Sequence, residues 1–152
     1  MVKENVKEPQ VIKERPATKK EEDLLERIKI CNEYIRLWAE FFKPLSMELE
    51  DKVISPEEEK HFFRVIHALC FNHYKFMNAV GTLFKEGNDI IRLLSDIPSI
   101  ELLKILSEAQ LNKHQLDWHK IYLFMNKAEG KLINLIPLDS PIRKEVMAII
   151  SK

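Results

Sequence analysis

The chain has 152 residues, with 24 basic and 24 acidic side chains that cancel at neutral pH. That balance leaves no global field to steer it to nucleic acid or to an anionic membrane, and the length supports one domain with a real core rather than two. Only three glycines, with Lys, Glu, Ile and Leu abundant, point to an all-α protein with few tight turns.

Residues 1–20 alternate Lys and Glu around Pro9 and Pro16 and offer little to bury beyond Val2, Val6, Val11 and Ile12. Such a segment cannot offset its own ordering entropy. It is expected to be a flexible charged tail that only a partner chain would order, followed by a single helical domain over 21–152. The N-terminus is charged rather than apolar and no run approaches the ~18 apolar residues of a membrane span. Cys31 and Cys70 form neither a CxxC pair nor a disulfide framework. A reducing, cytoplasmic setting is therefore expected.

The first long helix is predicted over about 20–43, where Leu24, Ile28, Cys31, Ile35, Trp38 and Phe42 recur at steps of four and three, a seam close to a 3.5-residue period. Pro44 ends or kinks it. Leu45, Leu49 and Val53 share one side of a short helix over about 46–54.

The stretch that follows is expected to organise the fold. Ser55 can cap free amides, Pro56 suits the first helical position, and Glu57, Glu58 and Glu59 meet the positive end of the dipole. With Gly87 as a left-handed stop, one helix is predicted over 56–86. One apolar stripe runs through Phe62, Ile66, Leu69, His73, Phe76 and Val80; a second follows Phe63, His67, Cys70, Tyr74 and Met77. A helix apolar over so much of its circumference needs cover on at least two sides. Phe71 falls off both stripes, near Arg64 and Lys75, and points to cover by a second chain, its own copy or another protein.

A short helix is predicted over about 89–97, stopped by Pro98. A third long one, over about 99–136, carries Leu103, Ser107, Leu111, His114, Trp118, Ile121 and Met125, and Pro137 ends it. Asp139-Ser140-Pro141 starts a last helix over about 141–151. The expected architecture is an antiparallel bundle of three long helices (20–43, 56–86, 99–136), crossing at about 20°, with the short helices as caps. Ile35, Trp38, Leu69, His73, Phe76, Leu111 and Trp118 are its expected core.

No phosphate loop, GxSxG elbow, HExxH or dinucleotide glycine turn is present. In a bundle, chemistry comes from inward side chains on facing helices, so the polar seam residues are the candidates. Pairing of the first two long helices about residue 50 sets Cys31 opposite Cys70. Pairing of the second and third about residues 92 and 93 sets His73 near His114. Cys31, Cys70, His73 and His114 then share one level, a donor set suited to zinc or another transition metal. Against it stands ordinary packing of lone cysteines and histidines, which the sequence favours. Glu58-x-x-His61 lies among capping carboxylates, and His114 and His119 point about 140° apart, so neither makes a site. The favoured reading is a non-enzymatic interaction or assembly module without a cofactor; the alternative is a bundle with a Cys/His metal or cofactor site in its core.

Overall fold

Four hydroxyl side chains set where helices begin. Thr18, Ser55, Ser99 and Ser107 each accept a backbone N–H from the residue three positions on, and in three cases a Glu or Gln there reaches back to the cap amide. In the computed structural model of the chain, which describes residues 15–47, 49 and 52–152, they start α1 (Lys19–Ser46), α2 (Pro56–Phe71), α5 (Ile100–Lys104) and α6 (Glu108–Asn134). The remaining helices are α3 (His73–Val80), α4 (Gly87–Asp96) and α7 (Arg143–Ile150), and no strand occurs among the described residues. The protein is all-α.

Two of the three long helices expected from the sequence are interrupted. The segment 56–86 breaks at Asn72, whose side-chain amide donates to the Ala68 carbonyl while the Tyr34 hydroxyl donates to that of Leu69. Side chains entering the hydrogen-bond ladder kink a helix in this way. The backbone pattern nevertheless resumes at once, with Asn72 N–H bonded to the Ala68 carbonyl and Phe76 N–H to that of Asn72. The segment 99–136 breaks between Lys104 and Ser107, because Ser107 and Gln110 form a capping box that starts α6 afresh. None of the described residues from 47 to 54 is helical: Leu49 is buried and its carbonyl accepts from Lys52 N–H. Pro44 neither ends nor breaks α1, which runs two residues past it. Part of that predicted short helix, and most of the 1–20 tail, lie outside the described residues.

Gly87 is not the stop. It opens α4, and a Cβ there would lie 2.9 Å from the Met77 methyl, so the glycine permits a close approach. The stop is Gly81, with φ +55°, and Arg27 Nε donates to the neighbouring Ala79 carbonyl at 2.7 Å.

The centre of the molecule is α1, which touches α2, α3, α6 and α7. It runs antiparallel to α6, with Asn32 bonded to Glu129, Trp38 to Trp118 and Leu45 to Gln115. Trp38 Nε1 donates to the Trp118 carbonyl at 3.3 Å, Trp118 Nε1 to the Trp38 carbonyl at 2.8 Å, and the two rings lie parallel, 6.0 Å apart. On its other side α1 stacks Tyr34 on Phe76 and Phe41 on Phe62. Six of the seven expected core residues are buried, and Leu111 packs against the core half-covered. Arg15 closes the near end: its guanidinium grips both carboxylate oxygens of Glu21 (2.8 and 2.6 Å) and reaches Asp139 in the α6–α7 turn at 3.2 Å.

Trp118→Ala should destabilise the fold by about 3 to 5 kcal/mol in denaturant unfolding. The glycines should separate three ways in the same measurement. Gly81→Ala should destabilise by about 1 to 3 kcal/mol for its positive φ. Gly130→Ala, inside α6 with nothing within 4 Å of the new Cβ, should stabilise by ~1 kcal/mol. Gly87→Ala should be mild, since the flexible Met77 tip can move.

Candidate functional site

The α2–α3 unit buries one of its two apolar stripes. Phe62, Val65, Leu69, His73, Phe76 and Val80 face inward, keeping steps of three and four through the kink at Asn72. The other stripe faces solvent through Phe63 (50% exposed), His67, Cys70 and Tyr74 (79%), and Phe71, which falls off both stripes, is exposed beside it at 80%. Their sequence spacing made this stripe legible; its lack of cover was not. The His67 and Phe71 rings lie nearly parallel, 6.3 Å apart, on a shallow, open groove that also involves Arg64 and Ile66. A surface so open cannot enclose a small molecule, whose sites bury most of the ligand. It can receive another protein surface, for which exposed aromatics with flanking Arg are the typical anchors.

Two other hollows are more enclosed. A cleft of about 380 Å³ between the end of α1 and α2 has an apolar floor including Phe62, Val65 and Ile100. Most of its rim charges are paired with each other: Lys43 Nζ donates to Glu40 at 2.8 Å, His61 Nε2 lies 3.2 Å from Glu40, and Lys52 pairs with Glu58 at 2.8 Å, while Glu57 on the same rim has no ion-pair partner among the described residues. A polar cleft of about 370 Å³ between α4 and α6 is bordered by further such pairs, Arg92 with Asp89 and Lys113 with Asp117, each at 2.9 Å.

The four residues expected to share one level do not come together. Cys31 is fully buried on α1, where burial first and the Glu129 charge second push its thiol up to about 12. Cys70 is exposed on the outer stripe, one position past buried Leu69. His73 is buried at the start of α3, near the Gly87 backbone, and burial holds its pKa below the ordinary imidazole value. His114 is half-buried beside Gln115, which bonds the Leu45 carbonyl, so it sits about 20 Å along α1 from Cys31 at ~1.5 Å per residue. The expected register failed because α6 pairs with α1 rather than with 56–86. Among the described residues no three His, Cys, Asp or Glu side chains are grouped to hold a metal ion. Glu58 does cap its helix, with Ser55 N–H donating to it at 3.0 Å.

Two functional-looking groups were missed. Arg15 belongs to the predicted tail, and only its fold partners reveal it: Arg15 beside Glu21, with the Thr18 amide next, holds that carboxyl far below its usual range. Glu129 is buried on α6, accepts from Asn32 Nδ2 at 3.0 Å, and burial raises its pKa despite that bond and the nearby Arg36. Asn32 in turn accepts from Arg36, whose guanidinium also donates to the Ile149 carbonyl, so α6, α1 and α7 are tied by one polar chain. Comparison of the chain with protein-family models, with curated proteins and with solved structures finds no match.

Buried His73 is neutral when folded, and the unfolded imidazole takes a proton first as pH falls. Stability should therefore drop as pH is lowered through and below about 6.5, and His73→Gln should flatten that part of the profile. Glu129 has the opposite sign. Its raised pKa means that ionisation at neutral pH weakens the fold, so Glu129→Gln should stabilise at pH 7, with the gain vanishing below about pH 4.5.

Proposed function

We propose that this chain is a protein-interaction module, non-enzymatic in itself, that docks through the outer face of α2–α3. The observation that carries this reading is the exposure of Phe63, Phe71 and Tyr74 on one helix face, beside Arg64 and Lys75. A lone exposed apolar side chain means little, but a continuous aromatic face is what binding surfaces present. No described helix is long and apolar enough to cross a membrane.

Phe71→Asp tests the assignment. At 80% exposure the substitution should leave the unfolding midpoint within about 0.5 kcal/mol of the parent. Association should weaken at least about 30-fold, the effect of removing a hot-spot aromatic worth ~2 kcal/mol. Association is read as self-association in sedimentation and as partner chains retained on the immobilised protein. Identical behaviour of parent and variant in both assays overturns the proposal.

A further inference from the structure

The exposed stripe is nearly its own mirror about His67. Four residues to either side stand Phe63 and Phe71; seven to either side stand Lys60 and Tyr74; further out, on one flank, lie Glu57, ten residues before His67, and Lys75, eight after it. Glu57, Lys60, Phe63, Phe71, Tyr74 and Lys75 are all exposed, and none of the charged ones has an ion-pair partner among the described residues. In an antiparallel helix pair, positions equidistant from the two-fold axis face each other, and equal flanks meet equal flanks. Set on its own copy about an axis through His67, the stripe places Phe63 on the partner's Phe71 and Lys60 on the partner's Tyr74. Glu57 and the partner's Lys75 then lie on the same flank, about 3 Å out of register along the helices, an offset that their long side chains can span. Each contact occurs twice and each is favourable: aromatic on aromatic, cation on aromatic face, carboxylate on ammonium.

A parallel arrangement has none of this. It sets Glu57 against Glu57, Lys60 against Lys60 and Lys75 against Lys75, so three like-charge pairs oppose it. We propose that the occupant of the α2–α3 face is a second copy of this chain, paired antiparallel about a two-fold axis at His67. This rests on the reading of that face as a docking surface and names its partner. Such an interface is closed: the same patch is used on both copies, so assembly stops at two.

The geometry can be tested by thiol chemistry, because Cys31 is buried and Cys70 exposed. Helices packed 8 to 10 Å apart, each with a Cα radius of ~2.3 Å, bring facing residues at the axis to about 3.4 to 5.4 Å, the upper part of which is within disulfide reach. In the Cys70→Ser background, His67→Cys should therefore crosslink to its own copy under mild oxidation. Cys70 of the unsubstituted chain should not, since three residues from the axis on each copy separates the two by about 9 Å along the helices.

The closing experiment combines that crosslink with light scattering at about 100 μM, above the micromolar range of a modest interface. The expected result is twice the chain mass for the parent, single-chain mass for Phe71→Asp, a dimer crosslink through His67→Cys and none through Cys70. Glu57→Lys should weaken the dimer about 10-fold, and Glu57→Lys with Lys75→Glu should restore it. A dimer indifferent to Phe71→Asp, or crosslinked through Cys70 but not position 67, overturns the proposed pairing. A monomeric parent that still retains a different chain in a Phe71-dependent way overturns the second copy and leaves the docking face standing. A monomer with no Phe71-dependent partner overturns both.

Discussion

Two indoles, Trp38 and Trp118, hold the positions from which the other contacts follow. Each donates its N–H to the other's backbone carbonyl while the rings lie parallel and 6.0 Å apart. A buried indole needs a partner for its N–H, and here one contact satisfies two of them between two helices. That fixes the register of α1 on α6 near the middle of both, and the polar contacts on either side of it, Leu45 with Gln115 and Asn32 with Glu129, keep the same antiparallel offset. Phe42 and Tyr122 pack against Trp118, at 4.2 and 4.8 Å between ring centroids, so the clasp is dry. A shift by one turn would break both N–H bonds and leave two buried donors unmatched.

With α6 locked on one side of α1, the opposite side is left for α2 and α3. Tyr34, Phe41 and Leu45 fill it, and Tyr34 both stacks on Phe76 and bonds the Leu69 carbonyl. This one hydroxyl helps to break the ladder that would have made α2 and α3 a single straight helix. It also decides which stripe is covered. With α1 providing most of the inner surface and α6 a smaller part, the Phe62–Leu69–Phe76 side is buried and the Phe63–Phe71–Tyr74 side is left outward.

The polar groups sort by the same geometry. Cys31, His73 and Glu129 are buried where α1 meets its neighbours, and burial shifts each toward its neutral form. Among the described residues no three His, Cys, Asp or Glu side chains converge as ligands do. Arg15 is the exception in kind: an ion pair with Glu21 and Asp139 that ties the entry of α1 to the turn before α7. It acts between segments more than a hundred residues apart, and neither its charge nor its local context distinguishes it from the other basic residues near the N-terminus.

The sequence by itself determined the all-α class, the existence of both apolar stripes on 62–84, the membership of most of the core, and helix starts at Ser55 and Ser99. These are local properties: period, capping chemistry and side-chain volume act within a few turns of chain. It also held, unread, the Ser107–Gln110 capping box that splits the third long helix. The tertiary structure decided which helix is central, which register pairs α6 with α1, and which stripe faces water. Those depend on contacts between residues thirty to eighty positions apart, Tyr34 with Leu69 and Trp38 with Trp118, whose energies no periodicity encodes. The glycines show the division most plainly. Any of them could end a helix, and only the packing reveals that Gly81 takes the positive φ while Gly87 makes room for Met77.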